Sequence, residues 1–208
     1  MPPYSDLILR LSLRLKRKVE MIKGAEENSA EAIQKLKKEA AEAAADLIQD
    51  GMVIGLGSGT TAKLVVEAIG KRVKNGLRLV GVSTSEKTAA QARELGIPLA
   101  TLAEYPQLDL AIDGADEVEL GTLHLIKGGG GNLLREKLVA IASARFAIIV
   151  DERKLVDKLG ATFSLPVEVV PFGWQSTEGR LKKLGANPKL RTQPGGDTFL
   201  TDGGHYIL

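Results

Sequence analysis

With 208 residues, the chain is long enough to form one large or two small domains around a buried core. It contains no cysteine, which excludes a disulfide scaffold, cysteine-based metal sites and a catalytic thiol, and its two histidines argue against a multi-histidine metal centre. The net charge of +2 is too small to indicate a nucleic-acid partner, and no apolar run reaches the roughly 18 residues that a membrane span needs.

The N-terminal segment differs from the rest of the chain because it carries most of the excess positive charge. Between residues 7 and 21 the apolar side chains mostly occupy alternate positions, which predicts a half-buried strand or hairpin, although leucines four apart also fit a helix. We assign residues 1–26 to a β-like extension of undefined role. The segment has no secretory-signal pattern, and the lack of cysteine fits a reducing compartment, so we expect a cytoplasmic protein.

Short apolar strands then alternate with segments of helical spacing. An N-cap at Asn28-Ser29 opens a predicted alanine-rich helix that runs to about Gln49. The other predicted helices are 62–73, 85–95 and 132–144, and the predicted strands are 52–56, 79–82, 97–99, 108–112, 123–126 and 146–150. This alternation predicts an α/β fold: a mostly parallel, Rossmann-like sheet with helices on both faces.

The pattern changes after Pro166. A short strand at 167–170, a helix at 176–184 and a hairpin around 194–196 predict a small α+β region. We therefore divide the remaining chain into an α/β catalytic domain, residues 27–160, and a small α+β domain, residues 161–208.

Three polar loops follow predicted strands, and the carboxyl ends of parallel strands form the ligand-binding edge of such a sheet. The first loop, residues 58–61, offers three hydroxyls and exposed N–H groups at a helix N-terminus. It therefore predicts an anion site, although a tight turn with a helix cap explains the same residues. The second loop, 113–117, has three carboxylates that suit metal binding, acid–base work or an ordinary surface turn.

The third loop reads Lys-Gly-Gly-Gly-Gly-Asn-Leu-Leu-Arg-Glu from Lys127 to Glu136. A lysine beside glycine N–H donors suits a developing oxyanion, and a glutamate one helical turn further suits a base that moves a proton between neighbouring carbons. A flexible turn is the alternative interpretation. Lys154, beyond the next strand, suits a phosphate or is a solvated helix charge.

Four motifs in register resemble ribose-5-phosphate isomerase of the A type. They are Gly-Leu-Gly-Ser-Gly-Thr-Thr-Ala at 55–62, Asp-Gly-Ala-Asp-Glu at 113–117, Lys-Gly-Gly-Gly-Gly-Asn-Leu-Leu-Arg-Glu-Lys at 127–137 and Pro-Val-Glu-Val-Val-Pro at 166–171. The resemblance covers roughly residues 37–208. It implies interconversion of ribose 5-phosphate and ribulose 5-phosphate in the pentose phosphate pathway, without metal or organic cofactor, by a homodimer or homotetramer.

The resemblance also implies a role for each matching residue. Glu136 is the base that moves a proton between C1 and C2, Asp113 assists opening of the sugar ring, and Asp116 contacts sugar hydroxyls. Lys127 and the glycine N–H groups stabilise the enediolate oxygen. The implied substrate-binding residues are Lys37, Ser58, Gly59, Thr60, Thr61, Gly114, Ala115, Gly128, Gly129, Gly130 and Lys154, with Lys37, Thr60, Thr61 and Lys154 on the phosphate.

Two departures from the family pattern bear on these expectations. Residues 1–36 match nothing in the family, and family members continue beyond residue 208 with a further helix and strands, so we expect a shortened small domain. Our hypothesis is that the segment 7–22 and the following helix occupy the vacated place. A non-catalytic sugar-phosphate-binding module, as in some transcriptional regulators, and an inactive rearranged variant are the alternatives; Asp113, Lys127 and Glu136 together argue against the module.

Overall fold

A computed structural model of the chain describes residues 30–208, with side chains described from residue 34 onward. The predicted strand or hairpin between residues 7 and 21, the extension 1–26 and the N-cap at Asn28-Ser29 lie outside the described residues, as does the hypothesis about the segment 7–22. Within residues 30–208, no helix is both long enough and apolar enough to cross a lipid bilayer.

The described chain alternates helices and short strands along most of its length. The helices are α1 (Ala30–Ala45), α2 (Thr60–Lys74), α3 (Glu86–Glu94), α4 (Leu133–Ala142) and α5 (Trp174–Lys183), with a single 3-10 turn at Glu152–Lys154. The strands are β1 (Val53–Leu56), β2 (Val80–Ser83), β3 (Leu99–Ala100), β4 (Leu110–Asp113), β5 (Glu117–Glu119), β6 (Leu125–Ile126), β7 (Phe146–Ile148), β8 (Leu155–Val156), β9 (Glu168–Val169) and β10 (Tyr206–Ile207).

Five strands form the central parallel sheet that the sequence predicts, in the order β3-β2-β1-β4-β7. The chain proceeds outward from β1 to β2 and β3, and then returns to the other side of β1 with β4 and β7. The strand order therefore reverses between β1 and β4. In open α/β sheets the loops diverge at such a point and leave a crevice at the carboxyl ends of the strands.

Helices cover both faces of this sheet. Ile54 and Leu56 of β1 belong to the larger core, which also contains buried residues of α1, α2 and α3. On the opposite face, Ala111 of β4 packs with Val139 of α4. The alternation of side chains along each strand assigns neighbouring residues to these two layers.

Gly55 allows α4 to approach the sheet closely. A Cβ atom at this position would lie 2.4 Å from Val139 Cγ1 and 2.8 Å from Ala111 Cβ, so any side chain would push the helix outward. Val139 lies one helical turn after Glu136, and both side chains are buried on the same face of α4. The close packing at Gly55 thus fixes Glu136 near the ends of β1 and β4.

A second sheet of three strands, in the order β6-β5-β8, lies beyond the end of β4. Strand β5 pairs antiparallel with β6 and parallel with β8. The sequence analysis predicts β6 but assigns residue 117 to a loop, and it misses β5 and β8. These strands are only two or three residues long and depend on partners far along the chain, so local periodicity does not reveal them.

The C-terminal region contains the predicted strand β9, the predicted helix α5 and a hairpin whose arms meet at an antiparallel bridge between Thr192 and Thr198. Strand β10 pairs antiparallel with β9, and the sequence analysis misses it. The division at residue 160 and the shortening of the small domain stay predictions.

Predicted and observed boundaries agree within two residues for the strands and helices of the α/β region, apart from the end of α1. That helix ends at Ala45, not near Gln49, and the chain continues in turns in which Leu47 N–H bonds to Ala44 and Ile48 N–H to Ala45. Asp46 N–H still bonds to the Glu42 carbonyl four residues earlier, so the backbone changes to the tighter i→i−3 pattern directly after Asp46. Such a tightened last turn is a common end of an α-helix.

Candidate active site

An open cleft of about 150 Å³ lies at the carboxyl edge of the central sheet, between the loops that follow β1 and β4. The structure brings the predicted site residues together here, and only Asp113 lies behind the wall, not on it. The lining residues are Lys37, Ser58, Gly59, Thr60, Thr61, Gly114, Ala115, Asp116, Lys127, Gly128, Gly129, Gly130, Glu136, Ile149, Val150, Asp151 and Lys154.

The first wall of the cleft is the N-terminus of α2. Gly59 is its N-cap residue with φ +96°, and no side chain caps the helix. The first N–H groups of a helix have no partner within the helix, so those of α2 are available to a ligand on the cleft. The positive end of the helix dipole favours a negative group there, such as a phosphate.

Asp113 ends β4 and fixes the loop that follows β1. The residue is only 3% exposed, and its Oδ1 accepts hydrogen bonds from Ser58 N–H at 3.0 Å and from Gly114 N–H at 2.8 Å. Gly57 makes this approach possible, because a Cβ there would lie 2.2 Å from Asp113 Oδ1. The carboxylate therefore lies directly beneath the loop, and its Oδ2 contacts Lys127.

Lys127 joins the two buried carboxylates of the site. Its Nζ lies 2.9 Å from Asp113 Oδ2 and 3.2 Å from Glu136 Oε2, and it donates a hydrogen bond to the Gly114 carbonyl. Lys127 directly follows β6, which pairs with β5. The second sheet thus delivers the lysine to a cleft formed by the first.

Glu136 is 5% exposed and lies in the first turn of α4. Burial raises its pKa, and the negative charge of Asp113 raises it further; Lys127 opposes both effects, and the resulting pKa is about 7. Lys127 lies within ion-pair distance of Glu136 Oε2, yet the alignment does not make a hydrogen bond and this buried oxygen has none. Near neutral pH the carboxyl group can therefore take up and release a proton easily.

The glycine loop forms another wall and is held in one conformation by its neighbours. Gly131 N–H bonds to the Gly128 carbonyl at 2.9 Å, and Gly129 N–H bonds to Asp116 Oδ2 at 2.7 Å. Gly128 has φ +107°, and a Cβ on Gly129 would lie 2.5 Å from Asp116 Oδ1. The glycines are thus required by a positive φ and by the close approach of Asp116, not merely by flexibility.

Two lysines bring positive charge to the cleft from elements on either side of it. Lys37 belongs to α1 and Lys154 to the 3-10 turn after β7, and both line the cleft. Hydrogen bonds from Arg153 lower the pKa of Asp151 most strongly, and the charge of Lys37 lowers it further. Lys37 and Asp151 thus line the same cleft, with Lys37 close enough to act on the Asp151 carboxylate.

Three residues that are not among the predicted site residues also line the cleft: Ile149, Val150 and Asp151. A usable signal was present, because the predicted strand 146–150 is followed by Asp151 at the same edge of the sheet as the named loops. Their position at the carboxyl end of a predicted parallel strand was therefore enough to predict that they lie at the ligand-binding edge.

Glu117, the third carboxylate of the 113–117 motif, serves a different purpose. It is fully buried away from the cleft and accepts hydrogen bonds from Gly160 N–H, Phe163 N–H and the Thr162 hydroxyl at 2.6–2.7 Å. Burial alone would raise its pKa, but these bonds and the Thr162 N–H outweigh it and lower the pKa to about 2. Within residues 30–208 no three acidic or histidine side chains converge as metal ligands, so the motif divides into separate tasks.

The raised pKa of Glu136 predicts a pH-dependent cost to stability. The pKa of Glu136 is about 7 in the folded protein and 4.5 ordinarily, so the folded protein binds this proton more tightly than the unfolded chain does. The free energy of unfolding therefore falls as the pH rises from about 4.5 to 7. Glu136→Gln removes this cost and should therefore increase the free energy of unfolding at about pH 8, by up to ~1.4 kcal/mol for each unit of pKa difference. At about pH 5 the same substitution should change the free energy of unfolding much less. Urea unfolding followed by the fluorescence of the single tryptophan, Trp174, measures this.

The exposed Glu94 of α3 provides the matched control for this measurement. Glu94→Gln makes the same chemical change without burial and should shift stability equally at both pH values. An equal gain at both pH values for Glu136→Gln would contradict the assigned pKa.

Comparison with known proteins identifies the family of the chain. The family described as Ribose 5-phosphate isomerase A (phosphoriboisomerase A) matches residues 80–208. The ribose-5-phosphate isomerase A of Gloeobacter violaceus is 60% identical over 173 residues, which cover 83% of this chain and 75% of that protein. The Synechococcus sp. protein of the same name is 58% identical over 174 residues, covering 83% and 76%.

Solved structures lead to the same family. Ribose 5-phosphate isomerase A from Methanocaldococcus jannaschii has a TM-score of 0.81 and 43% identity, covering 84% of this chain and 78% of that chain. A D-ribose-5-phosphate isomerase in complex with phospho-erythronic acid has a TM-score of 0.79 and 40% identity, covering 84% and 77%. The chain therefore belongs to the ribose-5-phosphate isomerase A family.

Proposed function

We propose that the cleft described above is where this chain interconverts D-ribose 5-phosphate and D-ribulose 5-phosphate through an enediolate. The aldose–ketose isomerase activity follows from membership of the family, which includes named relatives that are 60% and 58% identical over most of the chain. It is a step of the pentose phosphate pathway. The single observation that carries the assignment of roles is the buried cluster in which Lys127 lies between Asp113 and Glu136.

Glu136 is the proposed base. In the direction from aldose to ketose, its carboxylate removes the proton from C2, and the electron pair of that bond passes through C1 to the carbonyl oxygen. The enediolate then takes the same proton from the Glu136 carboxyl at C1, while the hydroxyl proton of O2 passes to O1 and leaves a ketone at C2. A pKa of about 7 suits both halves of this exchange, since neither form of the group is strongly favoured.

Lys127 and the N–H groups of Gly128 and Gly130 are the proposed stabilisers of the enediolate oxygen, whereas the N–H of Gly129 is held by Asp116. The ammonium group is already held beside Glu136 by Asp113 and the Gly114 carbonyl, so little reorganisation is required as charge develops. Asp113 has the further proposed role of assisting opening of the furanose ring. Asp116 lines the cleft and can meet sugar hydroxyls while it supports Gly129.

The phosphate group is proposed to bind at the N-terminus of α2, with Ser58, Gly59, Thr60 and Thr61. Their N–H groups and hydroxyls provide donors, and Lys37 and Lys154 provide positive charge. Gly114 and Ala115 complete the proposed sugar-contacting wall. The complex of a 40% identical isomerase with phospho-erythronic acid, a phosphorylated four-carbon acid, supports a site in which a phosphate and an oxyanion are held together.

We also propose a homodimer or homotetramer that works in the cytoplasm without a nucleic-acid partner. Exposed apolar side chains in the described part of the chain support association, among them Phe172 at 97% and Leu184 at 82% exposure. Residues 27–160 would carry the chemistry and 161–208 a small α+β domain. Sedimentation of the purified chain tests the assembly, since a monomer at micromolar concentration would contradict it.

Removing the proposed base should abolish most turnover without abolishing binding. Glu136→Gln keeps the size of the side chain but cannot accept a carbon-bound proton, so kcat should fall by about 10²–10⁴-fold, the usual contribution of a general base. Ribose 5-phosphate binding, followed by calorimetry, should persist because the phosphate contacts are intact. Glu94→Gln, remote from the cleft, should keep the parent kcat; equal rates for both variants would show that Glu136 is not the base.

The same carboxyl predicts the pH dependence of the reaction. The base acts in its ionised form, so kcat/KM should be low below the pKa, rise with pH through about 7 and then level off. Initial rates across this range at constant ionic strength measure the profile. A profile that stays flat from about pH 5 to pH 8 would contradict a base with this pKa.

A further inference from the structure

We propose that Arg191, which does not line the cleft, is a positioning residue for the isomerisation: it holds the Gly129–Gly130 peptide so that Gly130 N–H faces the reacting oxygen. The inference rests on the proposed function of the cleft and adds a residue from the C-terminal region to it. Neither the sequence motifs nor the cleft lining points to Arg191. Its contact with the glycine loop does.

Arg191 is held both at its guanidinium group, which has two contacts, and at its backbone. Its Nη2 donates a hydrogen bond of 2.8 Å to the Gly129 carbonyl, and its Cζ lies 4.3 Å from the centre of the Phe199 ring. The backbone of Arg191 donates to the Ile207 carbonyl at 2.8 Å and accepts from Phe199 N–H at 3.0 Å. An ionised, stacked donor held by its own backbone is well suited to keep one carbonyl in one direction.

Phe199 also contacts the glycine loop directly. A Cβ atom on Gly131 would lie 2.5 Å from Phe199 Cζ, so the ring packs against the backbone of the loop. Arg191 and Phe199 therefore act as one support, with the ring bracing the end of the loop and the guanidinium bonded to its centre.

The direction of the Gly130 N–H follows from the planarity of the peptide. The described residues contain no cis peptide bond, so the carbonyl of Gly129 and the N–H of Gly130 point in opposite directions. The carbonyl points to Arg191, outside the cleft, and Gly130 is an exposed residue of the cleft wall. The N–H is thereby directed to the cleft.

Two neighbouring polar groups of the loop are fixed by other hydrogen bonds. Gly129 N–H bonds to Asp116, and the Gly128 carbonyl accepts from Gly131 N–H. The central peptide would be the easiest to rotate without Arg191, because glycine has no Cβ to oppose a flip. A flipped peptide would present a carbonyl oxygen to the enediolate in place of a donor. Arg191 thus favours the transition state through the loop, not through contact with substrate.

The test compares Arg191→Met with Lys189→Met. Methionine keeps the apolar stem but has no N–H donors, and Lys189 is an exposed cation two residues earlier whose removal makes the same change in net charge. Removing one oxyanion donor typically lowers kcat by 10²–10³-fold, so a misdirected donor in Arg191→Met should lower kcat by about 10–100-fold. KM for ribose 5-phosphate should change little, because the proposed phosphate contacts are untouched, and Lys189→Met should resemble the parent.

Two further measurements separate positioning from a general loss of structure. Arg191→Lys keeps a charged donor and should recover part of the lost kcat. Guanidinium ion, at concentrations far below those that unfold proteins, should raise the kcat of Arg191→Ala but not that of Lys189→Met, and sodium at the same ionic strength should not replace it. Thermal unfolding of each variant shows whether the kcat effect exceeds any change in folded fraction.

A parent-like kcat in folded Arg191→Met would overturn the inference. The inference would also be overturned if kcat were not partly recovered in Arg191→Lys and guanidinium ion did not raise the kcat of Arg191→Ala. A purely structural role of Arg191 predicts that result. Failure of the proposed function would be seen differently, as unchanged turnover in Glu136→Gln. If Glu136→Gln is inactive while Arg191→Met has the parent kcat, only the role of Arg191 is wrong.

Discussion

The site depends on an imbalance of buried charge: one lysine faces two carboxylates. Lys127 lies 2.9 Å from Asp113 and 3.2 Å from Glu136, and both acids are almost fully buried. One positive charge cannot compensate two negative charges in a region of low polarity, so burial and Asp113 raise the pKa of Glu136. Asp113 is the better supported of the two because it also accepts two backbone N–H bonds. The result is one carboxylate, Asp113, held in place by backbone hydrogen bonds, and one carboxyl group, Glu136, that can exchange a proton near neutral pH.

The fold produces this imbalance by bringing four segments to one edge of the sheet. β4 ends at Asp113, β6 delivers Lys127, α4 presents Glu136, and the loop after β1 covers Asp113. Two glycines make the packing possible: Gly55 admits Val139 of α4, and Gly57 admits the Asp113 carboxylate. A methyl group at either position would collide with these neighbours, and the distances that set the pKa of Glu136 would change. The stability cost of the buried carboxyl is thus tied to the geometry that gives it a suitable proton affinity.

The sequence predicted the central sheet because its signals are local. Each long apolar strand and each helix carries its own periodicity, and Ser85 caps α3 as its position suggests. The short strands β5, β8 and β10 were missed, because two or three residues contain too little pattern to distinguish a strand from a loop. The end of α1 was misplaced, since the backbone changes from i→i−4 to i→i−3 hydrogen bonds after Asp46, and neither apolar spacing nor helix propensity indicates that change.

The sequence by itself determined the chemical inventory: a loop with hydroxyls and glycine, a carboxylate motif, and a lysine and a glutamate at the two ends of a glycine loop. These signals are carried by residue type and spacing, which folding does not alter. Only the tertiary structure decided which of these residues line the cleft and which have other partners. It placed Asp113 behind the cleft, gave Glu117 to a distant loop, and added Ile149, Val150 and Asp151 to the lining. It also brought Arg191 to the Gly129 carbonyl across 62 residues of chain. Burial, the sharing of one cation by two acids and the direction of a peptide group are properties of distances in space, and spacing along the chain does not contain them.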